Sequence, residues 1–215
     1  MIHAVVFDLD GVIVDSEQVW DDVRVQLVRD AGLPFPPEAT RAMMGMSSPE
    51  WSRYLVEQLG LPGTPEQAND AVVGRMIERY AEGPPFIPGA LDAVRRIGER
   101  WPLAIASSSN RELIDLVLDA AKLHSLVRVA VSSEEVGRGK PAPDVYLETT
   151  RRLGVEPARV AAVEDSHNGI RSAKAAGLRV IAIPNTHFPP DAESLALADV
   201  ELDTIDELTP ELVED

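Results

Sequence analysis

Two carboxylates two residues apart close an apolar run and are followed by glycine in Val5-Val6-Phe7-Asp8-Leu9-Asp10-Gly11-Val12. A short β-branched and aromatic run reads as a buried strand. Residues i and i+2 of a strand point to one side, so Asp8 and Asp10 are expected together at its carboxyl end, where open α/β sheets bind ligands. Carboxylates this close repel each other, and a divalent cation removes the conflict. Oxygen ligands suit Mg2+, which keeps several waters and bridges readily to phosphate. Gly11 permits a turn and lets backbone N–H groups approach an anion. Asp and Gly are also common turn residues, and an isolated motif of this kind could simply cap a turn.

Further along the chain, other strand-like runs end in polar groups. Leu103-Ala104-Ile105-Ala106 leads into Ser107-Ser108-Ser109, and Val160-Ala161-Ala162-Val163 leads into Glu164-Asp165. Lys140 lies in a loop, one of three lysines with Lys122 and Lys174. In a parallel sheet these groups converge on one edge, which chance explains less well than any one of them alone.

The elements that must position them read as alternating strands and helices. Strands are expected over residues 3–7, 103–106, 127–131, 160–163 and 179–183, with a short edge strand at 199–202. Ser109 and Glu112 form a capping-box pattern ahead of Leu113–Leu118. Pro143 and Gly154 bracket one helix, and Ser166 and Gly177 another. Such alternation implies a parallel sheet with right-handed crossovers. Between Val14 and about Pro88 no strand is expected. Residues 20–31, 49–59 and 65–81 read there as helices. The expected architecture is a Rossmann-like α/β core formed by residues 1–14 and 84–215, with residues 15–83 inserted as a helical cap above the strand ends. Gly11–Asp15 and Gly83–Gly89 are the expected hinges, and the acidic tail after Leu202 reads as a solvated short helix or turn.

Composition narrows the function classes. The chain has 215 residues, 45% hydrophobic and 26% charged, as in soluble globular proteins. No apolar run approaches the roughly 20 residues that span a bilayer, and no signal peptide is apparent. Absence of cysteine excludes disulfides and thiolate metal sites and fits a cytoplasmic enzyme. A net charge of −16 without a basic stripe argues against nucleic acid. An anionic substrate is therefore expected to be a small molecule held by a local positive centre, with the protein itself a monomer.

Taken in order, these motifs resemble those of the haloacid dehalogenase superfamily over nearly the whole chain. Phe7-Asp8-Leu9-Asp10-Gly11-Val12 resembles its first motif, Ala106-Ser107-Ser108 its second, Lys140-Pro141-Ala142-Pro143-Asp144 its third and Val163-Glu164-Asp165-Ser166 its fourth. The helical insertion is similar to the small cap of the β-phosphoglucomutase-like branch, and Asp15-Ser16-Glu17 with Trp20-Asp21 resembles the sugar-phosphate phosphatases of that branch.

The resemblance implies roles. Asp8 would attack phosphorus and form an aspartyl-phosphate. Asp10 would begin protonated, give its proton to the leaving oxygen and then activate water. Ser107 and Lys140 would stabilise the transferring phosphoryl group, with Leu9, Gly11 and Ser108 around it. Mg2+ would be held by Asp8, Asp10 through its carbonyl, Glu164 and Asp165. Glu17, Ser47 and Arg75 would meet the substrate from the cap, where Gly45–Ser48 and Trp20 would also bear on specificity. Structural alternatives stand beside each role: helix capping for Ser107, a solvated loop for Lys140, helix-dipole stabilisation for Glu164 and Asp165, core packing for Trp20. His167 reads as structural or supporting rather than as a base.

β-Phosphoglucomutases carry an arginine in the first cap loop, where this chain has Ser48, and often a lysine where it has Asn110. Both departures remove positive charge that a bisphosphate intermediate needs, and so favour hydrolysis over the mutase alternative. Arg41, Arg53 or Arg111 could instead supply that charge. Dehalogenases do not need the second aspartate, so Asp10 speaks for phosphoryl transfer. A non-catalytic phosphate-binding regulatory module is the alternative of a different class, but none of the expected catalytic groups is missing.

Overall fold

The computed structural model describes residues 1–43 and 46–214; Gly45 of the cap loop lies outside them. Strands β1 (Ala4–Phe7), β2 (Leu103–Ser107), β3 (Val127–Ser132), β4 (Val160–Glu164), β5 (Arg179–Ala182) and β6 (Val200–Glu201) form one parallel sheet in the order β3-β2-β1-β4-β5-β6. β1 is central and buried throughout, which its unbroken apolar run requires of a strand covered on both faces. The strand period of two sorts its side chains. Val5 and Phe7 pack with Leu103, Ile105 and Val163 on one face; Ala4 and Val6 pack with Ala104, Ala106 and Ala162 on the other. Phe7 is in register with both Ile105 and Val163, so Asp8, Ser107 and Glu164 emerge along one edge. Strand order reverses at β1, and its carboxyl end therefore opens into the crevice where such sheets bind ligands.

All strands of the sheet other than β1 follow residue 100, and the described residues between 15 and 83 carry four helices: α1 (Glu17–Asp30), α2 (Pro37–Met43), α3 (Ser48–Glu57) and α4 (Pro65–Tyr80). Helix α2 is not among the three expected from sequence, because its proline suits a first helical turn as well as a separator. Helix α1 also starts three residues earlier than expected. Thr64 caps α4 by accepting from the Gln67 amide, and Glu50 accepts from both the amide and hydroxyl of Ser47 at the start of α3. The two connections to this helical region run side by side: the Asp15 amide donates to the Pro85 carbonyl (2.8 Å) and the Ile87 amide to that of Ile13 (3.0 Å).

Helices α5 (Ala90–Gly98), α6 (Arg111–Ala121), α7 (Asp144–Leu153) and α8 (His167–Ala175) complete the crossovers. Gly154 ends α7 and Ser166 caps α8, both as expected. The tail is a correction: instead of being solvated, residues beyond Leu202 bury Ile205, Leu208 and Val213, and the Arg96 guanidinium donates to the Leu208 carbonyl at 2.8 Å.

Candidate active site

At the end of β1 the Asp8 carboxylate is buried, and its Oδ1 accepts from the Leu9 amide (2.7 Å) and lies 3.0 Å from the Lys140 ammonium. Lys140 arrives from the loop before α7 and also donates to Glu164 Oε1 at 2.6 Å. Tyr146, on α7, donates its hydroxyl to that same oxygen, with its ring 5.2 Å from the lysine nitrogen. The solvated-loop reading of Lys140 thus gives way to a buried cation between two carboxylates. Burial alone would lower the Lys140 pKa, but Asp8 and Glu164 outweigh it and hold the group charged.

Asp8, Glu164 and Asp165 each offer a carboxylate oxygen, and these lie within 4.8 Å of one another. Burial raises the pKa values of Asp8 and Asp165 well above the ordinary carboxylate range, and the Glu164 charge adds to both shifts. Three buried carboxylates against one lysine leave uncompensated negative charge, and a hard oxygen donor set fits a divalent cation. Asp165 would hold it together with Asp8. Glu164 Oε1 is already engaged by Lys140 and Tyr146, which leaves Oε2 facing the cluster's backbone amide at Asp165.

Two glycines permit this density of carboxylates. A side chain at Gly11, where φ is +77°, would meet Asp165 Oδ2 at 1.8 Å, and one at Gly169 would run into the Glu164 carboxylate. Gly11 therefore gives room to the acids. Its own amide donates to the Val14 carbonyl at 2.8 Å and so closes the turn that the glycine permits.

Asp10 has different surroundings from Asp8. β1 ends at Phe7, so the expected i, i+2 strand geometry does not reach Asp10, which pairs instead with Val14 in the following turn. Its Oδ1 accepts from Ser16 and from the Trp20 indole (3.3 Å), and its Oδ2 from Ser107 (3.2 Å) and Ser109 (2.6 Å). The Asp10 side chain stands outside the acidic cluster. Asp8, Asp10, Glu17, Ser108, Lys140, Asp165 and His167 nevertheless line one cavity of about 60 Å³.

Ser109 was expected to cap α6. The N-cap is Asn110, and the Ser109 hydroxyl donates to Asp10 instead. Ser47 lies at the junction with the core beside Gly139 and bonds Glu50, and Arg75 pairs with Asp30 at the surface (2.8 Å); neither reaches the cavities at the strand ends. The two departures from the mutase pattern meet each other: Ser48 donates to Asn110 at 2.8 Å, and Asn110 donates to Asn69 and Glu134.

Asn185 and Arg24 are site residues the sequence reading missed. The Asn185 amide donates to Asp165 Oδ2 at 3.0 Å while its carbonyl accepts from the amides of His187 and Phe188, fixing the loop after β5 over the acids. Nothing but a polar residue after a strand marked it. Arg24 had a legible signal, since Glu17, Trp20 and Arg24 share one face of α1 at helical spacing.

A family model described as haloacid dehalogenase-like hydrolase matches residues 2–177. The chain belongs to the haloacid dehalogenase-like hydrolases. Hexitol phosphatase B of Escherichia coli K12 is 32% identical over 214 residues, 97% of this chain and 95% of the relative. A phosphorylated carbohydrates phosphatase of Thermotoga maritima is 31% identical over 84% of each chain. The structure of CbbY from Rhodobacter sphaeroides in complex with phosphate superimposes with a TM-score of 0.88 at 27% identity, covering 100% of both chains. Within the family this hydrolase is a phosphatase, a phosphoric monoester hydrolase of the β-phosphoglucomutase and sugar-phosphate phosphatase branch.

Proposed function

We propose that this phosphatase hydrolyses a small sugar or polyol phosphate, with Mg2+, through a phosphorylated Asp8. The observation that carries the reading is the separation of the two aspartates: Asp8 sits against Lys140 among the acids, and Asp10 among hydroxyl and indole donors. Lys140 and the Leu9 amide hold one Asp8 oxygen, which aims the other at phosphorus. As the Asp8 oxygen bonds to phosphorus, the bond from phosphorus to the ester oxygen breaks, and Asp10 gives its proton to that oxygen. Asp10 then takes a proton from water as the water oxygen attacks phosphorus; the bond to Asp8 breaks and inorganic phosphate leaves. Mg2+ held by Asp8 and Asp165, with Glu164 beside it, would supply charge neutralisation between nucleophile and phosphoryl group.

Sugar and polyol phosphates are the substrate class named for the hexitol and carbohydrate phosphatases this chain is similar to. Hydrolysis rather than mutase chemistry is favoured by the neutral Ser48–Asn110 contact where a bisphosphate would need cations. The test is phosphate release from a panel of sugar and hexitol phosphates and an aryl phosphate, with and without Mg2+. β-Glucose 1-phosphate with a trace of the 1,6-bisphosphate belongs in the same panel. Metal-dependent release is the expected result. Isomerisation without release would overturn the reading.

The cation should also show in stability. At about 100 times its dissociation constant Mg2+ is worth about 2.7 kcal/mol, or roughly 5–10 °C in Tm for a chain of this size. The sign with pH follows from the raised Asp8 and Asp165 pKa values. Without metal, these groups stabilise the fold below the ordinary carboxylate range, and that contribution is lost as pH climbs through their folded values. At low pH the cation must displace their protons. Thermal melts should therefore show a larger Mg2+ shift at pH 8 than at pH 5, and the shift should vanish in Asp165→Asn.

A further inference from the structure

A second cavity of about 60 Å³, which Asp8 does not line, is walled by Asp10, Glu17, Trp20, Arg24, Trp51 and Ser109, among others. It shares Asp10 and Glu17 with the cavity over Asp8, so an ester oxygen within reach of Asp10 would carry its alcohol toward this side. Arg24 is 7% exposed, and its guanidinium carbon lies 5.0 Å from the Trp20 ring centroid and 5.1 Å from that of Trp51. With two indoles against it, its hydrogen-bonding capacity is left to its edge, and Nε is buried with no partner among the described residues. A buried guanidinium donor of this kind calls for an acceptor.

Two acceptor classes would suit it, a second anion on the substrate or the hydroxyls of a neutral chain. The charge of the wall decides between them. Among the described residues of this wall Arg24 is the one cation and Glu17 and Asp10 are its carboxyl groups, so it holds no surplus of positive groups. A second phosphate would bring two further negative charges beside Glu17. A hydroxyl adds none, and it can both accept from Arg24 and donate to Glu17. Burial lowers the Arg24 pKa to about 10 against the opposing influence of Glu17, which leaves the guanidinium charged at neutral pH.

We propose that Arg24 and Glu17 form a subsite for the hydroxyls of a neutral polyol leaving group, which selects polyol monophosphates over bisphosphates and phosphocarboxylates. The proposal rests on the phosphatase reading and names the part of the substrate that Asp10 releases. In the test, kcat/KM is measured for hexitol 6-phosphate, p-nitrophenyl phosphate and fructose 1,6-bisphosphate on wild type and Arg24→Met, which keeps a linear side chain between the indoles. Loss of a charged donor should lower the ratio of hexitol phosphate to aryl phosphate activity about tenfold or more, mostly through KM. Equal losses on both substrates would mean that Arg24 only holds Trp20 and Trp51, and would overturn the proposal. So would a wild-type preference for the bisphosphate, a measurement that stands even if Arg24→Met does not fold. If no substrate releases phosphate, the phosphatase reading itself has failed, and the subsite is judged by binding. A saturable hexitol 6-phosphate response in wild-type tryptophan fluorescence, weakened by Glu17→Gln, supports it, and no response refutes it.

Discussion

Asp8→Asn is expected to lower phosphate release by about four orders of magnitude or more, the scale seen when a covalent nucleophile is removed. Asparagine keeps the shape and can still accept from Lys140 and the Leu9 amide, which now meet Oδ1 at 3.0 and 2.7 Å. What it loses is the oxygen that bonds to phosphorus. Folding should survive, because the substitution removes one of three buried carboxylates facing a single lysine. The two readouts together make the prediction sharp: turnover near background, with a Tm in metal-free buffer equal to or above that of wild type. Substantial turnover in a preparation free of wild-type protein would mean that Asp8 only binds metal. A collapsed Tm would mean that its charge holds Lys140 in place.

How much of this was legible beforehand depended on the range of the interaction involved. β1 and β4 declared themselves through apolar runs that end in acids, because a strand buried on both faces has no other way to be written. Lys140 and Asp165 could be placed from a chain of strand ends, since a parallel sheet brings those ends to one edge. Local signals competed less well with tertiary ones. Ser109 looked like a cap because sequence shows its neighbours along the helix and hides Asp10, 99 positions earlier. Gly11 announced a turn, but not that the Asp165 carboxylate would fill the space a side chain there would need. Arg75 was singled out as a cap cation and pairs with Asp30, while Arg24, on the face of α1 that also carries Glu17 and Trp20, was passed over. A helix face is readable from spacing, but what covers it is not.

Lys140→Met should be costly for both stability and turnover, and the two losses have separable causes. The side chain is 3% exposed, and its ammonium lies 3.0 Å from Asp8 and 2.6 Å from Glu164, so its removal leaves buried carboxylates without a counter-charge. Breaking a buried pair from one side typically costs about 3–5 kcal/mol, which for this chain length is roughly 6–20 °C in Tm. Because Asp8 already titrates well above the ordinary carboxylate range through burial and Glu164, losing Lys140 should raise it further. The stability gap between variant and wild type should therefore narrow from pH 8 to pH 5, as the stranded acids take up protons. Adding Glu164→Gln neutralises one of those acids, and the double variant should recover much of the lost Tm. It should not recover turnover, because the charge that faces the transferring phosphoryl group is still missing, a loss worth about 100-fold or more. Recovery of both together would reduce Lys140 to a stabiliser of Glu164, and recovery of neither would place its main contact elsewhere in the site.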